Sequence, residues 1–279
     1  MVLVGILFVI FLLMGMPVAF AIGISGVAFF LQNPELPFTI TVQLPISQTQ
    51  NFAMLAVPLF IFAGNLMNSS GITKRLMKLS SVLTGHMHGG LAQVSVVLST
   101  FMGGGSGSAI ADASMEARVL GPDVIKRNYS RGYTANVISW SALITATIPP
   151  GVGIILYGTV GEVSIGRLFA SGILTGLIMM IALMVTVWLT SVHLGYGAER
   201  EKASAKEIFA SLKETIWALL FPILLLVGIR SGIFTPSEVG AFACVYAIIV
   251  GTLVYRELTF TKIAQTLGDT VIDVGAIMF

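Results

Sequence analysis

The sequence predicts an all-α polytopic membrane protein of about six to seven transmembrane helices, with a re-entrant helical hairpin and a discontinuous Pro-Pro helix among them. Three observations carry this. The 279 residues are 56% hydrophobic and 10% charged, with a mean hydropathy of +0.94, against roughly 25% charged in an average soluble domain. Charge-free stretches long enough to cross a bilayer recur along the chain. Two apolar segments contain backbone breakers, Gly103-Gly104-Gly105-Ser106-Gly107-Ser108 and Ile148-Pro149-Pro150-Gly151, which do not suit the interior of a simple spanning helix.

Composition also excludes function classes. The 15 Lys and Arg and 13 Asp and Glu residues cannot clothe the surface of a soluble enzyme. A net charge of +2 leaves no basic domain for nucleic acid. Cys244 is the single cysteine and the three histidines match no zinc spacing, so neither a transition metal nor an organic cofactor is expected. The first charge is Glu35, so the amino terminus lacks the basic region of a cleavable signal peptide and is expected to stay in the membrane.

In chain order, residues 3–31 form one tilted, kinked helix or two short ones, because Gly15-Met16-Pro17 interrupts the run; one helix is the reading favoured here. Residues 32–51, with Pro34, Pro37 and Pro45 and no Lys or Arg, read as an outside loop. Further spans are expected at 52–68, 132–161, 168–194, 215–230 and 236–255. With the amino terminus inside, Lys and Arg divide 13 to 2 in favour of the cytoplasm, provided residues 79–120 do not cross. The segment 199–214, with Ile208, Leu212 and Ile216 spaced by four, reads as an amphipathic helix at the cytoplasmic interface, against membrane lipid. The apolar run that begins at Val274 stops at Phe279, which suggests a chain that continues.

The stretch without Asp, Glu, Lys or Arg at 79–111 has basic clusters on both sides, Lys74, Arg75 and Lys78 before it and Lys126, Arg127 and Arg131 after it. Both flanks favour the cytoplasm, and an arm of about 14 residues is about 21 Å long, too short for a core of about 30 Å. Residues 89–120 are therefore expected to form a re-entrant hairpin with its tip at 103–108. In 132–161, Pro149 and Pro150 lack the N–H groups that would bond the carbonyls of Thr145 and Ala146. A broken helix facing a hairpin tip is an arrangement in which secondary transporters bind ions. Ser106 and Ser108 at the tip, with Thr145, Ala146 and Ile148 at the break, are the candidate cation ligands; Gly107, Asn136 and Ser139 are candidates for substrate contact. Glycine and serine at the tip also suit plain close packing of helices, and Asn136 and Ser139 suit interhelical hydrogen bonding. Asp112 and Glu116 lie one turn apart on the returning arm, where Asp112 is either a direct contact for the cation or, near Arg118 and the cytoplasmic end, salt-bridged or solvated.

Seven stretches in order resemble the large membrane subunit of the tripartite ATP-independent periplasmic (TRAP) transporters, the DctM-like family. They are Gly15-Met16-Pro17-Val18-Ala19-Phe20, Val57-Pro58-Leu59-Phe60 leading to Ala63-Gly64, Ser69-Ser70-Gly71-Ile72 with Lys74-Arg75-Leu76, His88-Gly89-Gly90-Leu91, Gly105-Ser106-Gly107-Ser108-Ala109 with Ala111-Asp112, Ile148-Pro149-Pro150, and Gly232-Ile233-Phe234-Thr235-Pro236-Ser237-Glu238. The resemblance implies a bacterial inner-membrane importer of small carboxylates such as dicarboxylates or sialic and other sugar acids, coupled to Na+ and working by an elevator motion. It implies a periplasmic substrate-binding protein and a small four-helix membrane subunit as partners. It also implies a division into scaffold helices and a cytoplasmic linker (1–87), a transport-domain half (88–167), and scaffold or arm helices with the start of a second, inverted half (168–279). Two departures are visible: Gly151 stands where family members usually have serine, and the second half is not in this sequence. Two rival readings are an intramembrane serine protease, from Gly104-Gly105-Ser106-Gly107 with His193 as base, and a non-catalytic membrane scaffold.

Overall fold

A computed structural model describes residues 1–50, 52–105, 107–230 and 234–278, and every regular element among them is helical. The chain forms two compact units, residues 1–51 with 275–279, and residues 52–274.

The first unit holds helices α1 (Val2–Leu13), α2 (Val18–Gln32) and α3 (Ile40–Thr49). The favoured single helix over 3–31 is corrected to two. Gly15 adopts a left-handed φ of +77°, its N–H bonds the Leu12 carbonyl at 3.0 Å, and the Met16 N–H reaches back to the Phe11 carbonyl at 3.1 Å. These two bonds are a Schellman closure, and Pro17 then opens α2. The outside loop at 32–51 is likewise partly helical. Pro45 sits within α3, where it costs only the bond to the Thr41 carbonyl in the opening turn.

The second unit runs through a 3-10 turn (Phe52–Leu55), α4 (Ala56–Ser69), α5 (Ile72–Thr84), α6 (Gly90–Gly103), α7 (Ala109–Val119), α8 (Gly121–Lys126), α9 (Arg131–Thr147), α10 (Val152–Val160) and α11 (Ile165–Leu194). It continues with α12 (Ala205–Arg230), α13 (Pro236–Ile249) with a wide turn at Val250–Val254, and most of α14 (Phe260–Met278). Among the described residues, 165–194, 205–225 and 236–254 are long and apolar enough to cross a membrane, and α9 and α10, bent by 46° at their break, are so only when taken together. The separate interfacial helix expected at 199–214 is not seen. No breaker separates Lys206 from Trp217, so α12 runs through both segments, with Lys78 pairing to Glu214 at 2.5 Å near its charged end.

The hairpin takes the expected form, with α6 and α7 as its two arms. Twelve of the 14 residues of α6 are buried, enclosed by α5, α9 and α11. A helix too short to span is thus kept from lipid by its neighbours, which is the condition for irregular backbone at its end. Leu98 and Met102 of α6 join Phe60 and Met67 of α4, Ile144 of α9 and Phe221 of α12 in one apolar core.

Candidate functional site

The hairpin tip and the helix break meet. A side chain added at Gly103 would strike Ile148 Cβ at 2.6 Å, and one at Gly107 would strike the Pro150 carbonyl oxygen at 2.2 Å. Gly107 has a φ of +57°, a conformation for which glycine carries no penalty. Its carbonyl accepts from the Val152 N–H at 3.4 Å. Four helix ends therefore converge: the C-termini of α6 and α9, and the N-termini of α7 and α10. Carbonyls at the first two carry partial negative charge and N–H groups at the second two carry partial positive charge, so the junction can hold a cation beside an anion.

At the break, α9 ends at Thr147 and the Ile148 N–H closes on the Ile144 carbonyl at 2.8 Å. The carbonyls of Thr145 and Ala146 find no hydrogen-bond donor among the described residues, because the chain supplies prolines where their donors would be. A Cβ at Gly151 would lie 2.4 Å from the Ala146 oxygen, so glycine here brings the chain close over that carbonyl. Ser108 caps α7, its Oγ accepting from the Ala111 N–H at 3.4 Å. Ser106, the other tip hydroxyl, lies outside the described residues. Asn136 and Ser139 are exposed on α9, two or more turns before the break. Asn136 lines a groove of about 300 Å³ with Tyr133, Trp140 and Thr190. They are not brought to the junction.

Just below the junction lies a buried polar cluster. Ser99 Oγ stands 2.7 Å from both Asp112 Oδ2 and Glu116 Oε1. Thr145 Oγ1 lies 2.6 Å from Asp112 Oδ2 and 2.8 Å from the Ser99 carbonyl oxygen. Ser95 donates to Glu116 Oε2 and meets Ser141 Oγ at 3.0 Å. No ion pair among the described residues includes Asp112 or Glu116, so the salt bridge near Arg118 weighed from the sequence is not formed.

The sequence matches the family described as "Tripartite ATP-independent periplasmic transporter, DctM component" over residues 4–279. The chain belongs to the DctM family. Among curated relatives of this DctM chain, the 2,3-diketo-L-gulonate TRAP transporter large permease protein YiaN of Escherichia coli is 36% identical over 95% of the chain and 62% of the relative. The sialic acid TRAP transporter large permease protein SiaM of Vibrio cholerae is 37% identical over 92% of the chain and 60% of the relative. The C4-dicarboxylate TRAP transporter large permease protein DctM of Rhodobacter capsulatus is 28% identical over 94% of the chain and 62% of the relative. The chain thus spans about three fifths of the length of these proteins.

These relatives are transport proteins rather than enzymes, and the protease reading has no geometric support in the DctM chain. His193 is exposed in the last turn of α11, beside the start of α6, where the Gly89 N–H bonds the Tyr196 carbonyl at 3.1 Å. The hairpin tip lies at the other end of α6, about 20 Å away by helix rise. What the sequence reading missed was the role of Ser95, Ser99 and Ser141. The signal was present as three polar pairs, each four residues apart, at 95 and 99, 112 and 116, and 141 and 145. Such spacing puts each pair on one helix face.

Proposed function

We propose that this multi-pass membrane chain is the large subunit of a sodium-coupled, binding-protein-dependent secondary transporter that imports a small organic acid. The observation that carries the reading is the convergence of four helix ends, two of each polarity, at a glycine-rich tip. Na+ is a hard cation that takes oxygen ligands, and the donor-free carbonyls of Thr145 and Ala146 fit it, with Ile148, Ser106 and Ser108 completing the set. The amino ends of α7 and α10, with Gly107 between them, would receive a carboxylate without any cationic side chain. Three relatives are named for 2,3-diketo-L-gulonate, sialic acid and C4-dicarboxylates, all of which carry carboxylates.

The hydroxyl and carboxylate bonds among α6, α7 and α9 tie both hairpin arms to the first half of the broken helix. This supports their movement as one body in an elevator motion. A small four-helix membrane subunit and a periplasmic substrate-binding protein complete the assembly, in the bacterial inner membrane. The test is uptake of a labelled carboxylate into proteoliposomes holding the complete transporter, with binding protein outside. Uptake should require an inward sodium gradient and fail with choline in its place. Equal uptake under both conditions would overturn sodium coupling.

A further inference from the structure

We propose that a cavity on the cytoplasmic side of the hairpin is a release subsite, separate from the helix-end junction, for a carboxylate that also carries hydroxyl groups. The cavity holds about 710 Å³ between Met115 and Val119 of α7, the corner where α4 turns into α5, and one face of α14. Met115 stands about 10 Å from Ser108 by helix rise, so a solute leaving the hairpin tip along α7 meets this space next. Val119 ends α7 just ahead of Lys126, Arg127 and Arg131, whose charge favours the cytoplasm. The volume is that of a small-molecule site, and α14 turns a polar stripe into it, with Lys262, Gln265, Thr266 and Asp269 at helical spacing.

The lining sorts into groups that are already engaged and groups that are free. Glu257 is engaged: its Oε1 pairs with Arg75 Nη1 at 2.7 Å, and the guanidinium lies 3.8 Å from the centre of the Tyr255 ring. Lys262 Nζ donates to the Glu257 carbonyl oxygen at 2.8 Å, a neutral partner that holds the ammonium at the rim without cancelling its charge. The side chains of Lys74, Gln265 and Asp269 enter no hydrogen bond or ion pair among the described residues. Asn68 Oδ1 accepts from the Thr73 hydroxyl at 2.8 Å, which leaves its amide hydrogens free. Two ammonium groups can thus receive a carboxylate, while Asp269, Gln265 and Asn68 offer acceptors and donors to hydroxyls. A second carboxylate on the ligand would meet Asp269, which favours a hydroxylated monocarboxylate over a dicarboxylate. The choice of a carboxylate rests on the cargo proposed above.

The experiment uses the complete transporter in inside-out vesicles, with Met77→Cys on the cavity wall in a Cys244→Ala background. The rate of labelling by a membrane-impermeant thiosulfonate is read in sodium gluconate, propionate, succinate or chloride at equal ionic strength. Gluconate should slow labelling roughly threefold at about twice its dissociation constant, by mass action, and propionate and succinate should slow it less. Lys74→Gln with Lys262→Gln should abolish the protection, and Asp269→Asn should reduce it to the level of propionate. Met115→Cys, on the hairpin wall, carries the same measurement if Met77→Cys does not insert. Equal labelling in all four salts, protection by succinate exceeding that by gluconate, or protection that survives the paired lysine substitutions would overturn the subsite. Gluconate protection in a transporter whose carboxylate uptake ignores sodium would remove the coupling reading and leave the subsite standing; sodium-driven uptake without protection would do the reverse.

Discussion

Proline interrupts apolar helices between α1 and α2 and again between α9 and α10, and the two breaks leave their last carbonyls in different surroundings. At the first, the Schellman bonds of Gly15 and Met16 satisfy the carbonyls of Leu12 and Phe11 on the spot. At the second, Pro149 and Pro150 remove the donors and the carbonyls of Thr145 and Ala146 stay open beside the hairpin tip. A break that closes part of its hydrogen bonds and leaves the rest at exposed residues, Leu13 and Met14, is only a turn. A break that leaves them open inside a packed core needs something else to complete it, and that need is the chemical basis of a binding site.

The largest test of this contrast is Gly107→Val. The new Cβ would stand 2.2 Å from the Pro150 oxygen at a φ of +57°. Left-handed strain of about 1–2 kcal/mol and overpacking of about 1–3 kcal/mol should add, seen as a large fall in unfolding temperature with loss of uptake. Next, replacing both prolines (Pro149→Ala with Pro150→Ala) restores two N–H groups and lets the open break close. Stability should hold or rise while apparent sodium affinity in uptake assays falls about tenfold, or about 1.4 kcal/mol. An unaltered sodium dependence would mean that the open carbonyls are not ligands.

At the closed break, Gly15→Ala meets nothing within 4 Å and suffers only its φ of +77°. The expected cost is about 1 kcal/mol in thermal unfolding, with sodium half-saturation unchanged. Ser141→Ala removes a hydroxyl that meets Ser95 at 3.0 Å and donates to the Val137 carbonyl at 2.8 Å. It should cost about 1 kcal/mol by the same measurement without moving the sodium midpoint. A shift in that midpoint would extend the candidate ligand set to Ser141.

The hairpin and the second break were legible because glycine runs, paired prolines and flanking basic residues act within a few positions of themselves. Gly15 was misjudged for a related reason. Gly15-Met16-Pro17 is compatible with a kink or a stop, and the left-handed φ that decides for a stop is a matter of conformation. Ser95 and Ser99 were invisible as site residues because their meaning depends on which face of α7 and α9 opposes them. That pairing is fixed by packing across 13 to 46 residues of chain. The junction was anticipated from two separate breakers, but the sequence held no measure of their approach. The contacts of Gly103 with Ile148 and of Gly107 with Pro150 supply it.

The enclosure of α6 sets a timetable for biogenesis. Gln93 donates its side-chain amide to the Met184 carbonyl at 2.9 Å, across 91 residues, and Ser95 depends on Ser141, 46 residues later. At about 5–20 residues per second, roughly 5–18 s separate the emergence of Gln93 from that of its partner. Through that interval, a 14-residue helix with three buried polar side chains lacks the length to span and has only α5 of its three enclosing helices to shield it. The enclosure of α6 is completed only once α9 and α11 have been made, so the first arm of the hairpin is the last of these helices to lose its exposed face.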